Sequence, residues 1–232
     1  MKRLIVALFV LFFLFSGCFP KEAAESDFLH ISVEDLTENR VFEGFTAAPA
    51  GNTEAARLLI RSVLEQYPNG FPDQWGSIRI LLCRDLTGTG NFAGGRYAGF
   101  TQRMEDGWLM VLDADRFDAG TLHHEIAHIL DGILTEAGVL RESEWMDFCP
   151  GGFSYGTGNF DEYSDFFADA YAMTDLREDR ARTFEDAILY GPGVYGDRPA
   201  LWLKLECFSR AIRAHFDTNG WPENTIWELA LG

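Results

Sequence analysis

An α+β fold is predicted for this chain of 232 residues: one domain with a small mixed sheet, a long helix against it and further helices towards the C-terminus. Ser77–Arg84 (SIRILLCR) and Trp108–Leu112 (WLMVL) are apolar runs of strand length. Leu122, Ile126, Ile129, Leu130, Ile133 and Leu134 recur at helical spacing just after the second run, as in an amphipathic helix with one apolar side. Leu201, Leu205, Phe208 and Ile212 repeat that spacing near the end. Short strands followed by longer helices make the class α+β.

The first element is a targeting segment. Lys2 and Arg3 precede an unbroken apolar run, Leu4 to Phe15, and then Ser16-Gly17-Cys18. A positive start, a short apolar core and small residues form a secretory signal, and the run is short for a spanning helix. Ser16-Gly17-Cys18 also resembles the bacterial lipobox, in which the cysteine is lipidated and becomes the new N-terminus, with Phe15 standing where Leu is usual. Residues 1–17 are therefore expected to be a lipoprotein signal peptide and Cys18 a lipidation site; an ordinary cleaved signal or an uncleaved anchor are the alternatives. The resemblance implies an exported bacterial membrane lipoprotein. The lack of Asp after Cys18 implies the outer membrane or cell surface in a Gram-negative cell. Residues 18–50 start polar and acidic and read as a tether and a short first element. Residues 51–232 are long enough for one domain with its own core.

Within that domain, Asn52-Thr53-Glu54 starts a helix carrying Ala55, Leu58, Leu59, Ser62 and Val63, which Pro68-Asn69-Gly70 breaks. Ser77–Arg84 is a strand, the glycine-rich stretch Leu86–Gly95 a loop, and Arg96–Gln102 and Trp108–Leu112 two further strands. Asp118 or Thr121 caps the next helix and Gly138 ends it. A loop with Trp145, Cys149 and Pro150 follows. Asp161–Thr174 (DEYSDFFADAYAMT) reads as a helix with Asp161, Glu162, Asp165 and Asp169 on one face and aromatic residues over the rest. The last helix runs from about Pro199 to Phe216, and Asp217–Gly220 turns the chain out of it.

Charge narrows the partners. The net charge is −17, and without Lys2 and Arg3 seventeen basic residues face 36 acidic ones, a net −19. Such a surface repels nucleic acid and anionic lipid, so no nucleic-acid partner is expected. An exported domain permits disulfides. Cys149 and Cys207 are a candidate pair, and Cys83, inside an apolar run, is a buried thiol.

The chemistry is concentrated in His123-His124-Glu125-Ile126-Ala127-His128-Ile129-Leu130-Asp131, which contains one His-Glu-x-x-His motif. Residues four apart share a helix face, so His124 and His128 can hold one zinc ion from adjacent turns. Zinc lowers the pKa of its water and Glu125 can take the proton, the arrangement of zinc peptidases. Hydrogen-bonded core histidines are the plain alternative. A catalytic zinc takes three protein ligands. The extended motif with a third histidine needs Gly at 131 and His at 134, where this chain has Asp131 and Leu134. His30 and His215 lack motif context. The acidic helix at 161–174 is the remaining supplier. Asp165 and Asp169 are four apart, so one can bind zinc while the other accepts the free ring N–H of a ligating histidine; Glu162 and Asp161 are alternative ligands.

His124 to Asp131, Tyr155-Gly156, and Asp165-Phe166-Phe167-Ala168-Asp169-Ala170-Tyr171 together resemble the catalytic domain of anthrax lethal factor and related bacterial zinc peptidases. The resemblance spans about residues 108–175. It implies a zincin fold, Asp165 at the third-ligand position with Asp in place of Glu, and Tyr155 as a hydrogen-bond donor to the oxyanion. The expectation is a lipid-anchored zinc metallopeptidase acting on peptide or protein: His124, His128 and Asp165 (alternative Glu162) bind zinc, Glu125 and Tyr155 are catalytic, and Asp169 orients a histidine. An edge strand, Arg96–Gln102 or Trp108–Asp113, would bind the extended substrate. The rival readings are a catalytically inactive zincin-fold lipoprotein that binds a partner or glycan, and a zinc amidase acting on cell-wall peptides.

Overall fold

The computed structural model of the protein describes residues 28–232, so the signal segment and Cys18 lie outside the described residues. In chain order the elements are β1 (Ile31–Asp35), β2 (Arg40–Phe42), β3 (Phe45–Pro49), α1 (Glu54–Leu64), β4 (Ile78–Gly88), β5 (Gly99–Met104), β6 (Gly107–Asp113), α2 (Ala119–Glu136), α3 (Glu142–Met146), α4 (Phe160–Tyr163), α5 (Leu176–Tyr190) and α6 (Pro199–His215). Among the described residues the six strands form one mixed sheet, and with six helices they make the α+β domain expected.

The sheet is organised by its two most apolar strands. β4 and β6 run parallel, Ile78 opposite Trp108 through Cys83 opposite Asp113. All seven residues of β6 are buried, as a strand covered on both faces requires. β4 is long enough to serve two partners along one edge. Its first half pairs with β1 in parallel and its second half with β3 antiparallel. β2 closes that side as a hairpin with β3. On the other side β5 pairs antiparallel with β6 and ends the sheet. Residues 31–49 are thus three strands of the sheet, more than the one short element read from their polar sequence.

The two faces bury different layers. Trp108, Met110 and Leu112 point towards the helices, whereas Leu109 and Val111 meet a smaller cluster around Phe45, Leu81 and Leu86. α2 lies against the helix-side face with Ile126, Ile129, Leu130 and Leu134 at most 1% exposed. Each such side chain contributes roughly 1.5–3 kcal/mol of transfer free energy. α2 starts where Asp118 accepts the Thr121 N–H at 2.9 Å, while the Thr121 hydroxyl reaches back to the Asp118 N–H, a reciprocal cap. Gly138, at φ +72°, follows its last turn in the left-handed conformation that ends helices.

Two sequence expectations change here. The helix expected over 161–174 is helical only at Phe160–Tyr163; turns follow it. Side chains there capture the backbone groups that a helix would pair. The Lys204 ammonium donates to the Phe166 carbonyl at 2.7 Å, and Asp169 accepts the Ala172 N–H at 2.9 Å. Cys149 and Cys207 are both free, buried thiols and do not pair; Cys83 is buried as expected. Burial pushes the Cys83 thiol up to about 12 and the Cys207 thiol up to about 11.

Candidate metal centre

α2 packs against α5, and three side chains converge between the two helices. His124 and His128 turn their rings perpendicular, 4.6 Å apart, with the two Nε2 atoms 3.1 Å apart. Glu178, in the first turn of α5, brings Oε2 to 3.1 Å from His124 Nε2 and 3.6 Å from His128 Nε2. Among the described residues these three form the one group of donor atoms close enough to share a metal ion. In a tetrahedral zinc site with bonds of roughly 2.0–2.1 Å, neighbouring ligand atoms stand about 3.3 Å apart. The three separations bracket that value. Glu178 Oε2 is buried, and its near neighbours at the centre are the two imidazole Nε2 atoms.

The electrostatics agree. Burial by itself lowers the His124 pKa, but hydrogen bonds to the Glu178 and Glu185 carboxylates override it and raise it to about 10. The same contacts, against the upward push of burial, hold the Glu178 carboxyl far below its usual range. The pocket is built to hold positive charge at this point. His124 Nδ1–H donates to Glu185 Oε2 at 3.2 Å, which fixes the ring and aims Nε2 at Glu178 and His128. Arg182 pairs with the same carboxylate and with Asp169, 2.9 Å away.

Glu125 is 4% exposed, and its Oε2 has no hydrogen-bond partner. It lines, with His124, His128 and Glu178, a cleft of about 720 Å³ whose far wall is β5. Tyr171 lines the same cleft, its ring 6.2 Å from that of His124. Burial, and the Glu178 carboxylate after it, raise the Tyr171 hydroxyl above its ordinary value, so it stays a proton donor. His123 faces the other way. It is 1% exposed and hydrogen-bonded to the Tyr67 hydroxyl at 2.8 Å, and burial lowers it to about 4, so it is a neutral core residue.

The acids and the tyrosine read from the sequence lie elsewhere. Asp165 and its alternatives Glu162 and Asp161 are exposed and outside the donor group. The turns after Tyr163 carry Asp165 away from the face that a continuous helix would have given it. Asp169 binds Arg182 rather than a histidine, and Glu185 holds the position expected of Asp169. The Tyr155 hydroxyl donates to Asp179 Oδ2 at 2.8 Å, with its ring edge-on to Phe153, so it is turned into the core. Glu178 was missed, although a signal for it was present. Asp175-Leu176-Arg177-Glu178 has an N-cap acid with a Glu three residues later, and Asp175 does cap α5 through the Arg177 N–H.

No family model and no curated protein matches this sequence. Among solved structures, the fold is similar to the 2.10 Å crystal structure of a "putative zinc-binding metallo-peptidase" from Bacteroides caccae, with a TM-score of 0.55 and 15% identity over 88% of this chain and 84% of that one. At that identity the likeness concerns the fold.

Proposed function

We propose that this protein is a zinc-dependent metallopeptidase. The observation that carries the reading is the convergence of His124, His128 and Glu178 beside the buried carboxylate of Glu125, in a cleft bounded by a free strand edge. The fold likeness to a protein described as zinc-binding is consistent with it. A zinc ion on those three residues supplies Lewis acidity to a water molecule and to the scissile carbonyl.

The chain's own groups do the rest. Glu125 accepts the water proton on its unpartnered Oε2 and returns it to the leaving amine. The Tyr171 hydroxyl donates to the developing oxyanion, the part expected of Tyr155. Glu185 keeps the His124 proton on Nδ1.

β5 positions the substrate. The Asp113 N–H donates to the Ala98 carbonyl, which sets the phase of the ladder. Ala98, Phe100 and Gln102 therefore pair with β6, and Gly99, Thr101 and Arg103 present their N–H and C=O groups to the open edge. An extended peptide can add there as a further strand. The Thr101 hydroxyl is bonded to the Glu125 carbonyl at 3.4 Å, tying that edge to the motif helix.

Export and lipid anchoring through Cys18 belong to the same proposal and rest on the sequence from Lys2 to Cys18. Cys18→Ala should release the protein from the membrane fraction. For the peptidase itself the test is elemental analysis with a peptide-cleavage assay. The protein should bind about one zinc per chain, and Glu125→Gln should keep that metal while losing roughly 10²–10⁴-fold in kcat. A folded protein that takes up no metal, or a fully active Glu125→Gln variant, would remove this reading.

A further inference from the structure

The geometry points to an aromatic subsite beside the candidate centre, for a large apolar side chain of the substrate next to the residue facing Glu125. The inference deepens the peptidase reading and rests on it. Behind the free edge of β5, on the sheet face away from α2, Phe45 is sandwiched between two rings. It stacks on Phe100 at 4.4 Å and on Phe92 at 5.2 Å, and Tyr97 meets its edge at 5.1 Å. These four rings line the same cleft as His124, Glu125 and Glu178, so the shelf and the catalytic groups share one opening. Phe92, at the outside of the stack, is 48% exposed, so its outer surface is accessible to a substrate side chain entering this cleft.

The strand phase says which substrate residue would cover it. Residues opposite each other in a ladder share a face, and successive side chains alternate. A peptide residue paired with Gly99 or Thr101 points its side chain to the α2 side, where Thr101 meets the Glu125 carbonyl. Its immediate neighbours must point to the face of Phe100, where the rings lie. Stacking prefers aromatic or bulky aliphatic side chains there, since a further ring adds both buried area and ring–ring attraction.

The test is kcat/KM of the zinc-loaded full chain on pairs of peptides that differ only by Phe or Ala at one position beside the cleaved bond. The Phe member should be favoured on the order of tenfold at a single position and its alternates. Phe92→Ala should bring that ratio towards one, whereas Phe92→Leu, which keeps apolar area, should retain most of it. A wild-type ratio of one at every position, or a ratio untouched by Phe92→Ala, overturns the subsite while leaving the peptidase reading standing. If no peptide is cleaved, that reading fails. Titrating the same peptides into the zinc-loaded Glu125→Gln protein then decides the subsite by itself: tighter binding of the Phe member, lost in Phe92→Ala, supports it, and equal affinities overturn it.

Discussion

α2 and α5 meet at one centre but are built on opposite plans. α2 is an apolar helix with a polar seam. Ile126, Ile129, Leu130 and Leu134 bury its back, and the two histidines project from one side. α5 buries more polar than apolar residues: Asp179, Arg180, Thr183, Glu185 and Asp186 against Ala181, Phe184 and Ala187. Two of its buried charges are matched by partners on neighbouring helices. Arg180 meets Asp131 of α2 at 2.6 Å and lies over the Trp145 ring, and Lys204 of α6 meets Asp179 at 2.7 Å. One helix is held by the exclusion of water and the other by matched charges. A buried charge pair also restricts the orientation of the helix that carries it.

The sharpest way to break this comparison is to remove the acid that each account assigns to the metal. Glu178→Gln should weaken zinc binding by roughly a hundredfold or more, since removing even an outer partner of a ligand costs 10–100-fold. Asp165→Asn should leave metal content and activity unchanged. Competition with a metal-sensitive chelating dye measures both. The opposite ranking would return the third ligand to the 161–174 segment.

The second test is the buried pair behind Glu178, read as stability rather than as metal affinity. Asp179 Oδ2 receives Lys204, the Trp145 indole N–H at 2.8 Å and the Tyr155 hydroxyl at 2.8 Å, and neither partner of the Lys204–Asp179 pair is exposed. Lys204→Met leaves a buried carboxylate without its cation and should cost about 3–5 kcal/mol. Denaturant unfolding of the full chain measures it. Lys204→Met combined with Asp179→Leu should recover part of the loss, because removing both charges is cheaper than stranding one. If Lys204→Met alone is neutral, α5 is held by something other than charge pairing.

These two helices also show what was legible in the chain. His124, Glu125 and His128 sit within one and a half turns, with their cap at Asp118 and their stop at Gly138, so spacing alone exposes them. Glu178 lies far along the chain, on a helix with no apolar stripe. The charges that mark α5 as a surface helix are the ones buried at its junctions with α2 and α6. Asp131 shows the same effect. Read as a departure from the three-histidine motif, it is the buried anchor for Arg180. The run at 163–171 read as a helix because its acidic and aromatic residues fall at helical spacing, but only Phe167 is fully buried and the segment packs as turns held by Lys204 and Asp169. The three early strands were hidden because β1 and β2 are half exposed and carry little apolar signal.

A smaller effect tests the apolar plan of α2. A Cβ on Gly132 would stand 2.2 Å from the Trp108 ring, which is itself buried in the sheet. Gly132→Ala should therefore destabilise by about 1–3 kcal/mol through overpacking, despite the helix-propensity gain of about 1 kcal/mol. A stabilised variant in thermal unfolding would mean that the contact between α2 and the sheet yields easily.

The last test probes the charge plan of α5 from its weakest member, through a pH slope that vanishes at the acid end of the range. Asp186 is buried with one oxygen unpartnered, and Arg182 stands 3.6 Å away. Burial raises its carboxyl to about 6; Arg182 opposes the rise, and Glu185 and Asp169 add to it. A carboxyl raised on folding stabilises the fold most when protonated in both states, and that contribution is lost as pH rises from its ordinary value of 3.8 through about 6. The slope from one such group is at most about 1.4 kcal/mol per pH unit. Asp186→Asn should flatten the stability profile between about pH 4 and 6 by up to that slope, without weakening the fold at neutral pH. Urea unfolding across that window reads the change. A profile as steep in the variant as in the wild type would mean that Arg182 already keeps Asp186 ionised. The charge plan of α5 would then extend to its last acid, with no carboxyl left outside a pair.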